Sequence, residues 1–504
     1  MAQTKQNKTR WVPDTYIIIF FVVICAALLT WTVPVGQFDT KEIKYMMGST
    51  EKSRTVLIPE SFKYKLDDAG VPMKDGIKLF EPYGEVGFLN YAFEGMVAGD
   101  KWGSAVGVMI FILIVGGAFG IVLRTHAIEC GIKRMIKKSK GMDKLIIPIL
   151  FVLFSLGGAV FGMGEEAIPF VLIVVPVVIA LGYDSIVAVM ITYCATQIGF
   201  ATSWMNPFSV AIAQGISQIP VLSGAGFRMF MWAFFTVLGI VYTMWYGSRI
   251  RKTPELSPVR DSDKFFRDEL RSSEDSEETF AAGHALVILT VAAAVVWIIW
   301  GVTEKGYYIP EIATQFFIMG LAGGIIGVVF KLGDMKVNDI ASSFRSGASD
   351  LLGAAMVVGM AKGIILVLGG DSPTNATVLN TVLHNMGLLI SDLSPAFSAW
   401  IMYLFQSVFN FFVVSGSGQA ALTMPLMAPL ADIAGITRQV AVLAFQLGDG
   451  FTNLIVPTSG CLMACIGAAH IDWATWAKWQ IKFQGVLFLC GSVFVIAGVM
   501  IGFN

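Results

Sequence analysis

Two adjacent carboxylates, Glu165 and Glu166, occur in an apolar run that has no other charged residue between positions 145 and 182. Acidic side chains near the centre of a bilayer are costly and usually face a pathway for ions or substrates. The pair could bind a cationic substrate, take up a coupled proton, or divide these roles. The competing interpretation is a turn that reaches solvent, where both carboxylates are simply hydrated.

Oxygen-bearing side chains recur around two prolines, Pro207 and Pro457, at one constant offset along the chain. A proline breaks a helix and frees carbonyl groups, which suit Na⁺, while the N-terminus of a half-helix suits a carboxylate. The competing interpretation is a pair of packing kinks eased by Ser and Thr. The predicted substrate contacts here are Thr202, Ser203, Asn206, Thr452, Asn453, Thr458 and Ser459. The predicted Na⁺ ligands are Ser203, Asn206, Thr452 and Asn453.

The segment 416–421 matches the segment 162–167 in the order of its glycines, with neutral Gln419 at the position of Glu165. Cation chemistry is therefore expected mainly in the first of the two segments. Ser415, Ser417 and Gln419 are predicted to contact the substrate from the second.

Two further charges lie inside apolar stretches. Lys362 could replace a coupling cation, pair with Asp449, or hold a substrate carboxylate. Asp449 precedes Thr452 and is predicted to bind substrate or a coupling ion, or else to cap a helix end. Gln406 and Asn410 precede the second Gly-rich segment and are candidates for the same cavity.

Composition assigns the chain to the membrane class. The 504 residues are 55% hydrophobic and only 14% charged, with a net charge of -1, against about 25% charged residues in an average globular chain. No basic surface suggests nucleic acid as a partner. The six cysteines form neither a disulfide framework nor a metal-ligand pattern, and no nucleophile–base pair suggests an enzyme.

A membrane span needs about 20 mostly apolar residues. The predicted spans are 15–33, 103–123, 228–247, 284–302, 312–331, 348–369 and 482–502. Cations cluster before the first span, in the loop 124–144 and in the linker 248–283, so these three regions are predicted to be cytoplasmic. The N-terminus is then cytoplasmic, the first helix uncleaved, and the C-terminus periplasmic.

Two long apolar stretches do not divide into whole spans, and the parity of crossings predicts their topology. Each should contain a re-entrant hairpin followed by a broken helix, in opposite orientations in the two halves, as in many transporters with inverted repeats. The expected fold is an all-α polytopic membrane protein with about nine membrane helices and two hairpins. The predicted hairpins are 145–182 and 396–434, and the broken helices are 185–214 and 438–468.

The predicted organisation has six parts. They are a first membrane helix at 1–34, a periplasmic segment at 35–102, a first inverted repeat at 103–247, a cytoplasmic linker at 248–283, scaffold helices at 284–331 and a second inverted repeat at 348–504.

Three motifs carry a resemblance to a known family. They are Phe154-Ser155-Leu156-Gly157-Gly158-Ala159-Val160-Phe161-Gly162-Met163-Gly164-Glu165-Glu166-Ala167, then Ala195-Thr196-Gln197-Ile198-Gly199-Phe200 with Ser203-Trp204-Met205-Asn206-Pro207-Phe208, and Ser415-Gly416-Ser417-Gly418-Gln419-Ala420-Ala421-Leu422-Thr423-Met424-Pro425. Over essentially its whole length the chain resembles the YfcC family of bacterial membrane proteins.

That resemblance groups the chain with ArcD-like basic amino-acid antiporters and, more distantly, with anaerobic C4-dicarboxylate carriers of the ion transporter superfamily. It implies an inner-membrane protein, a scaffold that holds a mobile domain with two hairpins, alternating access by an elevator movement, and frequent homodimers. It does not fix the substrate.

The leading hypothesis is an antiporter or symporter of cationic amino acids such as arginine or ornithine, with Glu165 and Glu166 meeting the substrate's side chain. The close alternative is a carboxylate symporter driven by Na⁺ or H⁺, with Lys362 and the half-helix N-termini holding the anion. A channel is a third possibility. The expected partners are a small-molecule substrate and membrane lipid, and no cofactor beyond the coupling ion is expected.

Overall fold

The computed structural model describes residues 15–47, 50–101, 104–128, 130, 131, 134, 143–206, 208–268, 280–305, 307–370, 375–390 and 393–504. Several features used above lie outside these residues: the cations before the first span, most cations of the loop 124–144, part of the linker 248–283, and Pro207.

The chain begins with helix α1 (Thr15–Thr32), followed by a polar segment with four short strands and helix α2 (Tyr91–Val97). Strands β2 (Thr40–Met47) and β3 (Thr50–Leu57) pair antiparallel, as do β1 (Gly36–Gln37) and β4 (Lys63–Tyr64). The sequence analysis did not predict these strands.

Among the described residues, five helices are long and apolar enough to span a membrane: α3 (Ser104–Arg124), α8 (Ala225–Lys252), α9 (Ala282–Lys305), α10 (Ile309–Val329) and α18 (Trp473–Met500). Helices α11 (Val337–Asp350) and α12 (Leu352–Val367), bent by 42°, make a sixth span when they are counted together. The mostly helical membrane fold is therefore confirmed, and the number of nine spans stays a prediction.

The first predicted hairpin and the broken helix that follows it fall on four shorter helices. They are α4 (Asp143–Phe161), α5 (Ala167–Ala180), α6 (Ser185–Ala201) and α7 (Val210–Ile216). We call residues 162–166 the first tip and residues 202–209 the first break. Gly162 starts the first tip with a φ of 72°, a left-handed conformation that glycine adopts without strain.

The second predicted hairpin and broken helix fall on α14 (Pro395–Phe409), α15 (Gly416–Ile433), α16 (Arg438–Thr452) and α17 (Gly460–Ala468). Helix α13 (Val378–Ile390) precedes them. We call residues 410–415 the second tip and residues 453–459 the second break. Ser417 and Gly418, from the Gly-rich segment 416–421 of the sequence analysis, lie in the first turn of α15. How these elements are oriented in the membrane, and so the inverted repeat, stays a prediction.

Glycines allow the predicted hairpins and broken helices to pack closely together. A Cβ on Gly158 of α4 would collide with the carbonyl oxygen of Thr196 on α6. A Cβ on Gly450 of α16 would lie 2.5 Å from the Cβ of Ala201, the last residue of α6. The ends of the two broken helices therefore meet, which places the two breaks side by side.

Candidate functional site

A cavity of about 390 Å³ lies where the tips and breaks meet. The predicted site residues that line it are Glu165, Lys362, Ser415, Ser417, Asn453, Thr458 and Ser459. The predicted site residues outside its lining are Glu166, Thr202, Ser203, Asn206, Gln419, Asp449 and Thr452. The cavity thus carries one carboxylate and one ammonium group on its walls.

The first tip presents its two carboxylates differently. Glu165 lines the cavity, whereas Oε2 of Glu166 accepts a hydrogen bond from the backbone N–H of Gly164 at 2.8 Å. Both glutamates are partly buried. Sγ of Cys461, which also lines the cavity, donates to the carbonyl oxygen of Gly164 at 3.1 Å. This contact joins the first tip to α17, and the sequence analysis did not single out Cys461.

The polar residues of the first break mostly satisfy the break's own backbone. Oδ1 of Asn206 accepts from the N–H groups of Phe208 at 2.7 Å and Ser209 at 3.3 Å. Oγ1 of Thr202 donates to the carbonyl oxygen of Ile198 at 2.7 Å. Unwound backbone needs such partners inside a membrane. These side chains therefore stabilise the first break by binding its backbone, and they do not line the cavity.

The second break contributes directly to the cavity wall. Oδ1 of Asn453 accepts from Nδ2 of Asn410 at 2.8 Å, and the Asn453 carbonyl accepts from the Tyr193 hydroxyl at 2.8 Å. Oγ1 of Thr458 donates to the carbonyl oxygen of Phe411, and Oγ of Ser459 caps α17. Thr452 bonds within its own helix, to the carbonyl of Gly448.

Tyr193 was not predicted, although it joins the two broken helices. It lies in a π-helical turn, Met190–Cys194, within α6. Such turns are often found at functional sites because they redirect side chains. Its hydroxyl reaches the second break, as described above, and lies 3.3 Å from Oγ of Ser459.

Other lining residues of the cavity belong to helices outside the two predicted hairpins and broken helices. Lys362 of α12 and Val108 of α3 are among them. Tyr308, at the start of α10, stacks on Phe208 of the first break with ring centroids 5.2 Å apart. The cavity is therefore lined by two groups of helices.

Arg228 is a fully buried cation that the sequence analysis missed. Its guanidinium donates to Oε1 of Gln446 at 3.1 Å, to Oε1 of Gln439 at 3.0 Å and to the carbonyl of Ser223 at 3.1 Å. Gln446 in turn donates to the carbonyl oxygen of Ser203 at 2.6 Å. Within the described residues no carboxylate lies within 4.0 Å of this guanidinium. A lone arginine at the edge of the predicted span 228–247 was the available signal.

The linker packs against the start of the first broken helix. Asp184 caps α6 and accepts from the hydroxyls of Tyr246 and Ser257, both at 2.7 Å. Oδ2 of Asp263 accepts from the N–H of Ser185 at 3.2 Å, and burial raises the pKa of Asp263 to about 6. This cluster fixes the end of α6 that lies away from the cavity.

Comparisons with known proteins cover the whole chain. The family model of the C4-dicarboxylate anaerobic carriers (DcuC) matches residues 12–501. The Escherichia coli (strain K12) protein named "Putative basic amino acid antiporter YfcC" is 52% identical over 506 residues, with 100% of both chains covered. An uncharacterized protein of Haemophilus influenzae is 31% identical over 520 residues, with 99% of both chains covered.

A solved structure was also matched. The crystal structure of the Alcanivorax borkumensis YdaH transporter aligns with a TM-score of 0.40 and 14% sequence identity, covering 97% of this chain and 99% of that chain.

The full-length matches confirm the resemblance seen in the sequence and, with the apolar helices, establish a multi-pass membrane protein that acts in secondary transport. The chain belongs to the DcuC family of C4-dicarboxylate anaerobic carriers.

Proposed function

We propose that the protein transports basic amino acids such as arginine or ornithine across the bacterial inner membrane, by antiport or by cation-coupled uptake. One observation carries the proposal: a carboxylate, Glu165, and an ammonium group, Lys362, both line the cavity. An amino acid with a cationic side chain offers a complementary charge to each of them. A dicarboxylate would bring two negative charges toward Glu165.

In this proposal Glu165 holds the cationic side chain, and Lys362 holds the α-carboxylate together with the N–H groups at the start of α15. Ser417 and Thr458 add hydroxyl groups on the lining. A cavity of about 390 Å³ is near the lower end of the roughly 300–1,000 Å³ range of small-molecule pockets, as expected for one amino acid. The name of the Escherichia coli relative agrees with this substrate class.

The transport movement is proposed to be of the elevator type. Its support is the position of the cavity between one group of helices that carries both tips and both breaks and another that includes α3, α10 and α12. Sliding of the first group along the second would carry the cavity from one membrane face to the other. We also propose a cytoplasmic N-terminus and a periplasmic C-terminus, as the distribution of cations along the chain predicts, and a homodimer in lipid, as the family resemblance implies.

The rival function is C4-dicarboxylate transport, which the family name favours together with Lys362 on the lining. Counterflow of labelled arginine, ornithine and succinate in proteoliposomes distinguishes the two. The Glu165→Gln variant is expected to lose arginine counterflow, while Glu304→Gln, which changes an exposed carboxylate of α9, retains it. Arginine counterflow that survives in Glu165→Gln, or succinate counterflow that depends on Lys362 alone, contradicts the proposal.

A further inference from the structure

Four buried acceptor oxygens on three contacting helices at the second tip have no hydrogen-bond partner among the described residues. They are Oδ1 and Oδ2 of Asp449, Oδ1 of Asn410 and Oε1 of Gln419. The three residues are 0% exposed. A buried carboxylate without a partner is strongly unfavourable, and unsatisfied amide oxygens add to that cost. A bound ligand that these oxygens contact would remove this unfavourable free energy.

The three side chains belong to one cluster formed by three helices. Nδ2 of Asn410, just after α14, donates to the backbone carbonyl of Asp449 on α16 at 3.1 Å. Nε2 of Gln419 on α15 donates to Oε1 of Gln406 at 2.7 Å. Gln406 packs against Gly448, the residue before Asp449, since a Cβ there would lie 2.7 Å from the Cβ of Gln406.

The chemistry of the cluster favours a metal cation over rearrangement within the protein. Among the described residues of the cluster, four acceptor oxygens lack a partner, and the one donor that lacks a partner is Nε2 of Gln406. A proton on Asp449 would supply one more donor and still leave acceptors unsatisfied. A small hard cation can bind several oxygen ligands at once, and Asp449 neutralises a single positive charge. The cluster also lies at the last turn of α16, where the partial negative charge of a helix end attracts cations.

We propose that a sodium ion binds among Asp449, Asn410 and Gln419 and acts as the coupling ion. This proposal rests on the cation-coupled form of the transport function proposed above. It differs from the Na⁺ site predicted from the sequence, which was placed at Ser203, Asn206, Thr452 and Asn453.

The location explains how the ion would act on the substrate site. A Cβ on Gly416 would lie 3.1 Å from Oδ2 of Asp449, so the carboxylate touches the first residue of α15. Gly416 and Ser415 line the substrate cavity, whereas Asp449, Asn410 and Gln419 do not. An ion that links α14, α15 and α16 fixes the second tip in its binding conformation. Without the ion, the uncompensated carboxylate loosens that tip.

Thermal unfolding of the purified full-length protein without substrate tests the site. NaCl replaces choline chloride at constant ionic strength, with KCl as a second reference. The melting midpoint of the wild type is expected to rise saturably with Na⁺, because a ligand that binds only the folded state stabilises it. The Asp449→Asn variant is expected to lose this rise. Asp432→Asn, at the other end of α15 and paired with Arg438, is expected to keep it.

Should Asp449→Asn fail to fold, Gln419→Leu and Asn410→Ala provide the test. In each of these variants, the Na⁺ concentration that gives half of the maximal rise in melting midpoint is expected to be at least tenfold higher than in the wild type. A wild type with the same midpoint in Na⁺ and choline overturns the proposal, as does a full Na⁺ response in all three site variants. Stabilisation by acid alone that Asp449→Asn removes also overturns it, because a proton is then the ligand. A wild-type protein that shows no arginine counterflow but whose melting midpoint rises with Na⁺ contradicts only the substrate assignment.

Discussion

Replacement of Arg228 by methionine is expected to destabilise the protein by about 1–3 kcal/mol, the usual cost of one buried acceptor left unsatisfied. The guanidinium donates to Gln446, Gln439 and the carbonyl of Ser223. The last two acceptors keep a second donor, because Nε2 of Gln214 lies 3.3 Å from Oε1 of Gln439 and 2.9 Å from the Ser223 carbonyl. Within the described residues only Oε1 of Gln446 is left without a donor.

Two effects in opposite directions modify this value. Methionine removes a buried charge, whose desolvation is itself unfavourable, so the loss is smaller than the sum of three charged hydrogen bonds. The freed Gln446 amide also holds the Ser203 carbonyl of the first break, at 2.6 Å. Any reorientation of Gln446 therefore loosens the break, and the loss of stability should be accompanied by weaker substrate binding.

The assay compares thermal unfolding midpoints in detergent at one fixed scan rate, since membrane proteins often unfold irreversibly. The matched control is Arg249→Met, which removes an exposed arginine from the same helix and should stay within about 0.5 kcal/mol of the wild type. In a double-mutant cycle, Arg228→Met and Gln446→Leu should cost less together than the sum of the single changes. Equal midpoints for the two arginine variants, or strictly additive costs, would refute the reasoning.

Two further predictions concern the first tip and the linker. Gly162→Ala is expected to lower the melting midpoint, because alanine at a φ of 72° costs about 1–2 kcal/mol and its Cβ would collide with Oδ1 of Asn206. The control is Gly164→Ala, whose Cβ would meet no atom within 4 Å. Equal midpoints for the two variants would contradict the expectation. Asp263 has a pKa raised from 3.8 to about 6 in the folded protein, so its contribution to stability is full below pH 3.8 and lost as the pH rises through about 6. Melting midpoints across this range should therefore fall in the wild type relative to Asp263→Asn, and parallel pH curves for the two proteins would contradict this.

Several features of the fold could be predicted because they depend on local chemistry. The five long apolar helices found in the described part of the chain overlap predicted spans, although α18 begins at Trp473, nine residues before the predicted 482. The first tip coincides with Gly162, since only a residue without a Cβ adopts its backbone conformation easily. Strands β2 and β3 were missed, because their sequences have no strong alternation of apolar residues.

The candidate site was predictable only as a region. The sequence pointed to Glu165, Lys362 and the polar residues of the second break, all of which line one cavity. It gave no means to tell that Asn206 bonds the backbone of its own break, or that Arg228 and Tyr193 reach across from remote parts of the chain. Such roles depend on which groups lie within hydrogen-bonding distance after folding.

The sequence by itself determined that this chain lies in a membrane, that its apolar stretches are interrupted at Gly-rich turns and prolines, and which family it resembles. These properties follow from hydrophobicity, from the missing N–H of proline and from the missing Cβ of glycine, all of which act locally. Only the tertiary structure decided which polar groups line the cavity, which hold the two breaks against each other, and that both carboxylate oxygens of Asp449 lack a partner among the described residues. The reason is that these outcomes depend on packing between distant segments, as in the contacts of Tyr193 with Asn453 and of Arg228 with Gln446.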